Sequence, residues 1–191
     1  MAGNNKRNIY LVGFMGTGKT TIGRELGRSM GRKFQDVDIE LERRLAMSVN
    51  EIFAAHGEEY FRQKEEELAL ELAATTNRVI AAGGGTILNP RVFEAFQGSG
   101  TLICLYTRRE DLVGRLQRTD KRPVLHSETP EEVAQKVERL LEERKDVYGR
   151  VRIRIDTTNL TPMTAARKIH ELLSMRQRVM DHIEHPSIEL S

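Results

Sequence analysis

Four groups of residues in this chain have types and spacings that could do chemistry. The first is Gly13-Phe14-Met15-Gly16-Thr17-Gly18-Lys19-Thr20, which fits G-x-x-x-x-G-K-[ST]. Glycines let such a loop curl until successive backbone N–H groups point inward at phosphate oxygens, and the helix that follows adds its positive end. Lys19 can then reach the terminal phosphates and the Thr20 hydroxyl can hold Mg²⁺. The second group is Asp36 and Asp38, read as two carboxylates at the end of a strand. One of them near Thr20 could hold Mg²⁺ through water, since that ion keeps several waters and takes few carboxylates. The other could accept a proton from a substrate hydroxyl. Capping of the next helix is the plainer reading of either aspartate, and it excludes neither role.

The third group is Gly83-Gly84-Gly85 behind an apolar run, which could present backbone amides to an anionic or hydroxylated ligand. Ala81 and Ala82 stand where an acid often holds Mg²⁺ at a strand end, which leaves Asp36 as the better metal candidate. The fourth group is basic. Arg62 and Arg144 fall on helices, where each is either a solvated arginine or a bidentate fork for a carboxylate, and spacing alone does not choose. Arg118, Lys121 and Arg122 fall on a polar stretch that reads either as an ordinary loop or as a lid. Closure of a lid would bring Arg122 over a transferring phosphoryl group.

The elements that must position these groups alternate. Asn8–Val12, Lys33–Asp38, Val79–Ala82, Thr101–Tyr106 and Arg152–Asp156 read as strands. Helical spacing follows Thr20, Ile39, Ser48, Pro90, Arg109, Thr129 and Thr161, with Gly57 breaking the third helix and the last one ending near Val179. Alternation of this kind predicts an α/β three-layer sandwich, a five-stranded parallel sheet flanked by helices. Ligands in such sheets sit beyond the carboxyl ends of the strands, so the phosphate loop, the two aspartates and the triple glycine must converge on one crevice.

The chain has 191 residues, enough for one domain with a small lid. We expect a single phosphate-loop domain over 1–179, with an acceptor-binding region about 33–62, a lid about 117–128 and a flexible tail over 180–191. Charged residues make up 30% and nearly cancel, leaving a formal +2, which argues against a dedicated nucleic-acid binder. There is no apolar run near 18 residues and no signal-like start, so a soluble cytoplasmic protein is expected. Cys104 sits in an apolar run and reads as a buried thiol rather than a nucleophile. G-x-G-x-x-G is not met, because from Gly16 its third glycine falls on Thr21. Asp111-x-x-Gly114 resembles a GTPase switch but falls inside a predicted helix. His182 and His185 have helical ligand spacing but read as a surface pair.

Taken together, Gly13 to Thr20, Phe34-x-Asp36-x-Asp38, Gly57-Glu58-x-x-Phe61-Arg62, Gly83-Gly84-Gly85, Arg122-Pro123 and Arg144 with Tyr148 resemble the shikimate kinase family, from about Asn8 to Ser174. The resemblance implies a P-loop NTPase fold like that of the nucleoside-monophosphate kinases. It also implies transfer of the ATP γ-phosphate to the 3-hydroxyl of shikimate, with Mg²⁺ as cofactor, and a monomer is expected. By the same resemblance, Gly13, Met15, Gly16, Thr17, Gly18, Lys19, Thr20 and Thr21 would bind the nucleotide, with Thr20 on Mg²⁺ and Asp36 reaching it through water. Asp38 would bind the shikimate hydroxyls and act as base. Arg62 and Arg144 would clamp the carboxylate, beside Gly83, Gly84 and Gly85. Arg122 would be the lid arginine, and Arg118 and Pro162 resemble the adenine contacts. Only three residues separate Arg118 from Arg122, so the lid is short for the family. A gluconate kinase would share the loop without needing two arginines for a carboxylate. A nucleoside-monophosphate kinase would need a base-reading pocket that the sequence lacks.

Overall fold

The computed structural model of the chain describes residues 7–117 and 129–184. Strand β1 (Asn8–Val12) is buried at every position, and its side chains divide between two cores. Ile9 and Leu11 pack with Ile22 and Leu26 of helix α1 (Lys19–Met30) and with Ala165, Ala166 and Ile169 of helix α7 (Pro162–Glu184). Tyr10 and Val12 face the opposite way. They join Leu68 and Leu72 of α3 (Val49–Ala73), Val92 and Phe96 of α4 (Pro90–Ser99), and Val137 of α6 (Pro130–Gly149). A strand covered by helices on both faces needs apolar side chains on both, which is why Ile9 to Val12 read as a continuous run instead of an alternation. The Tyr10 and Phe96 rings stack with centroids 3.9 Å apart, the tightest aromatic contact described. Burying a ring of that size is worth about 1.5–3 kcal/mol. Cys104 is buried in the same core as a free thiol.

The remaining strands are β2 (Lys33–Asp36), β3 (Arg78–Ala81), β4 (Gly100–Tyr106) and β5 (Ile153–Asp156). The sheet runs β2-β3-β1-β4-β5, and every neighbouring pair is parallel. Leu11 lies level with Ala81 on one side and Ile103 on the other, and Ala81 lies level with Asp36. The loops that leave β2, β3 and β1 therefore open side by side. Strand order reverses around β1, so the crevice over its end lies at the topological switch point, where such sheets take ligands.

The ends of β2 and α7 differ from those read off the sequence, while the break in α3 falls where expected. β2 stops at Asp36, and Val37–Leu45 is already helix α2. The helix wins because the Asp36 carboxylate accepts the Asp38 and Ile39 amides and so starts a turn at once. α3 has the expected capping box at Ser48 and Glu51, and Gly57 interrupts it with φ 81° and ψ 174°. α7 runs on to Glu184, beyond Val179. Helix α5 (Arg109–Gln117) contains Asp111 and Gly114, which removes any switch-like loop there.

Candidate active site

The phosphate loop joins β1 to α1, and its backbone explains its glycines. Gly13 has φ 130°, and a Cβ there would collide with the Leu105 carbonyl oxygen on β4. Thr17 closes the loop on itself, donating from its hydroxyl to Phe14 O at 2.8 Å. Lys19 is 8% exposed, and its Nζ donates to Gly13 O at 2.8 Å and Phe14 O at 2.9 Å. The loop is thus curled and braced by the lysine that its motif reserves for phosphate. The Thr20 hydroxyl donates to Asp36 Oδ2 at 2.6 Å, and Thr21 donates to Gly18 O. A crevice of about 260 Å³ opens here, lined by Gly16, Gly18, Lys19, Thr20, Thr21, Asp36, Asp38 and Gly84 among others. Pro162 opens α7 in an exposed position and is not among the residues lining it.

The pairing of Asp36 and Asp38 on one strand is corrected by the structure. Asp36 ends β2 as the cap of α2, and Asp38 lies in the first turn of that helix. A cap residue and a first-turn residue leave the backbone at different angles, yet both carboxylates line the crevice. Asp36 divides its work: Oδ1 takes the amides of Asp38 and Ile39, and Oδ2 takes the Thr20 hydroxyl. One hydroxyl and one carboxylate as hard oxygen donors, with room beside them for phosphate oxygens and water, fit Mg²⁺. Among the described residues no group of three or more His, Cys, Asp or Glu could hold a metal ion.

Gly83, Gly84 and Gly85 follow β3, and none of them needs a positive φ. Space explains them instead. A Cβ on Gly83 would stand 2.6 Å from Glu65 Oε1, 2.8 Å from Asp38 Oδ1 and 2.9 Å from Thr86 Oγ1. A Cβ on Gly85 would stand 2.8 Å from a terminal nitrogen of Arg62. Gly84 lies between the Met15 amide and Arg144, and its carbonyl accepts both Arg144 at 3.0 Å and the Tyr148 hydroxyl at 2.6 Å. Burial pushes the Tyr148 phenol up to about 12 even though Arg144 pulls the other way, so the hydroxyl stays a donor at neutral pH.

On the far side of this turn lies a cavity of about 560 Å³, lined by Glu58, Arg62, Glu65, Gly85, Thr86, Asn89, Glu143 and Arg144 among others. Both arginines left open by spacing therefore meet at one hollow. Arg144 is 8% exposed, with its guanidinium over the Phe14 ring of the phosphate loop at 5.4 Å. Arg62 donates to Glu58 and, at 2.7 Å, to the buried Glu65, which also accepts the Thr86 hydroxyl at 2.6 Å. Burial alone would lower the Arg62 guanidinium; the two glutamates outweigh it and hold it above its ordinary value. Arg118, Lys121 and Arg122 lie outside the described residues.

Several residues at the site gave no sequence signal. Glu65 sits in a run of three glutamates, and only its inward direction on α3 separates it from Glu66 and Glu67. Arg115 of α5 donates to Gly16 O at 3.0 Å, and Thr157 donates to Thr17 O at 3.3 Å. Both tie the loop to elements about a hundred or more residues away, which no local pattern shows.

A family model described as Shikimate kinase matches residues 15–174. The shikimate kinase of Thermodesulfovibrio yellowstonii is 38% identical over 163 residues, covering 85% of this chain and 92% of its own. Shikimate kinase 1 of Escherichia coli O139:H28 is 37% identical over 169 residues, covering 88% and 96%. Among solved structures, shikimate kinase from Acinetobacter baumannii in complex with shikimate superposes with a TM-score of 0.84 at 37% identity, covering 90% of this chain and 94% of that one. A sugar kinase from Janibacter, at 14% identity and a TM-score of 0.53, shares the fold alone. With the matched span running from within the phosphate loop into the last helix, the chain belongs to the shikimate kinase family.

Proposed function

We propose that this chain transfers the γ-phosphoryl group of ATP to the 3-hydroxyl of shikimate, giving 3-phosphoshikimate and ADP in chorismate and aromatic amino acid biosynthesis. The observation that carries this reading is the glycine turn. Gly83 to Gly85 separate a phosphate crevice from a cavity bearing two arginines, and Asp38 stands at the seam. An acceptor with hydroxyls at one end and a carboxylate at the other spans that seam in one orientation.

In this reading the loop amides from Gly13 to Thr21 hold the phosphates, and Lys19 exchanges its two loop carbonyls for phosphate oxygens. Thr20 and, through water, Asp36 would hold Mg²⁺, which when bound would supply charge neutralisation at the phosphates. Asp38 orients the acceptor hydroxyl and takes its proton as the oxygen attacks. Arg62 and Arg144 grip the carboxylate, with the backbone of Gly83, Gly84 and Gly85 against the ring. By the same reading Arg118 and Pro162 would contact the adenine and Arg122 the γ-phosphoryl group. Such a site works by positioning and charge stabilisation, with no covalent intermediate on the protein. A monomer is part of the same reading. We place the enzyme in the cytoplasm as part of this reading. No described helix is long and apolar enough to cross a membrane.

ADP release from ATP and Mg²⁺ tests the reading, with shikimate, gluconate and AMP compared as acceptors. Stimulation by shikimate alone is expected; equal stimulation by gluconate would refute the acceptor assignment.

A further inference from the structure

Arg62 is already holding a carboxylate. Glu58 Oε1 accepts from Arg62 Nε at 3.2 Å and from one terminal nitrogen at 3.1 Å. This is the side edge of the guanidinium, one of the two edges with which arginine grips a carboxylate in parallel. The other terminal nitrogen goes to Glu65 at 2.7 Å. The two glutamates differ sharply in how firmly they are held. The Glu65 side chain is 4% exposed and anchored by Thr86, whereas that of Glu58 is 66% exposed. Glu58 is also the first residue after the break at Gly57, and it lines the same cavity as Arg62 and Arg144.

We propose that Glu58 is an internal stand-in for the acceptor's carboxylate: it occupies the side edge of Arg62 until the substrate displaces it, and so sets acceptor affinity and selectivity. The inference rests on the reading of Arg62 as a carboxylate ligand. Exchange of one carboxylate for another on the same fork is nearly balanced, because an exposed ion pair contributes little. A neutral polyol has nothing to offer in exchange, so Glu58 stays in place and the fork stays closed to it. Glu65, buried and doubly bonded, keeps Arg62 aimed at the cavity in both states. The stand-in therefore costs the true substrate a small factor and favours, by no more than the few-fold that an exposed pair is worth, ligands that bring a carboxylate of their own.

The test compares Glu58→Gln, Glu59→Gln and Arg62→Ala in the full chain. It measures the KM for shikimate at saturating MgATP and the shikimate Kd by titration calorimetry. Glu59 is the exposed neighbour and bears none of the bonds to Arg62, so it controls for the loss of one negative charge. Glu58→Gln is expected to lower KM and Kd about two- to fivefold, the range an exposed pair allows, with kcat within about twofold. Glu59→Gln is expected to leave both near wild type, and Arg62→Ala to raise both at least tenfold. An unchanged or raised KM in Glu58→Gln, beside a raised KM in Arg62→Ala, overturns the stand-in alone. Equal gains in Glu58→Gln and Glu59→Gln reduce the effect to general charge and overturn it too. No change in Arg62→Ala refutes the carboxylate reading of Arg62 itself, a failure distinct from the other two.

Discussion

Substituting alanine in turn at Gly83, Gly84 and Gly85 should produce three different enzymes. None of the three adopts a positive φ, so the added methyl acts through space and not through backbone strain. At Gly83 it would stand within 3 Å of oxygens on Glu65, Asp38 and Thr86. These are side-chain ends, but Glu65 and Thr86 are buried and bonded to each other at 2.6 Å, so parting them costs about 1–3 kcal/mol. For a domain of this size that lowers Tm by roughly 2–4 °C per kcal/mol. The same methyl meets Asp38 at 2.8 Å, and a displacement of about 1 Å at a reacting group costs on the order of 10²-fold in rate. Gly83→Ala should therefore lower kcat about 100-fold while the ADP Kd stays within about twofold. At Gly85 the methyl would meet only the end of Arg62, so KM for shikimate should rise several-fold with kcat nearly kept. At Gly84 the nearest atoms are 3.4 and 3.5 Å away, and activity should be within a few-fold of wild type. Steady-state kinetics, calorimetric ADP binding and thermal melts of the three variants give the readouts. A Gly83→Ala enzyme with wild-type kcat would refute the placement of Asp38 at the reacting hydroxyl.

Other substitutions separate roles that the geometry joins. Asp36→Asn keeps a capping oxygen for α2 but weakens the Mg²⁺ site, so half-maximal Mg²⁺ should rise while Tm holds; Asp36→Ala should also lose about 1 kcal/mol of stability by denaturant titration. Asp38→Asn should abolish phosphoryl transfer and leave calorimetric ATP binding in place. Arg144→Ala removes a charge-assisted pair worth about 1.5–3 kcal/mol, so the shikimate KM should rise roughly 10- to 150-fold. Tyr148 is held protonated, with its phenol at about 12 against an ordinary 10, chiefly by burial. A raised folded value adds stability that is full below pH 10 and drains away as pH climbs to about 12, in all about 3 kcal/mol. Denaturant midpoints at pH 8 and pH 12 should show that loss in the wild type and a smaller one in Tyr148→Phe.

How legible the molecule is from its sequence depends on whether a feature is local. The parallel sheet is readable because β1, β3 and β4 are mainly apolar runs, β5 alternates, and helical spacing separates one strand from the next; the phosphate loop is readable because its glycines are tied to one backbone shape. Asp36 and Asp38 were readable as a pair but misplaced, since a cap residue and a strand end have the same composition and only the bonds to Asp38 N and Ile39 N decide between them. Arg144 was undecided because a buried and a solvated arginine look alike until Phe14 and Gly84, from distant parts of the chain, are seen around it. In the sequence the triple glycine shows only as a source of amides, while the contacts that exclude a Cβ at Gly83 and Gly85 come from Asp38, Arg62 and Glu65, brought in from other elements.

Lys19 is a strut before it is a ligand. Its ammonium spans the loop from within, holding the carbonyls of Gly13 and Phe14. The nucleotide therefore meets a socket already shaped, and little chain entropy is left to lose on binding. Replacing Lys19 by methionine would take away a charge and a cross-brace together. The resulting fall in turnover would be the sum of a lost phosphate contact and a slackened loop, and backbone amide exchange over Gly13 to Gly18 in the nucleotide-free protein would separate the two contributions.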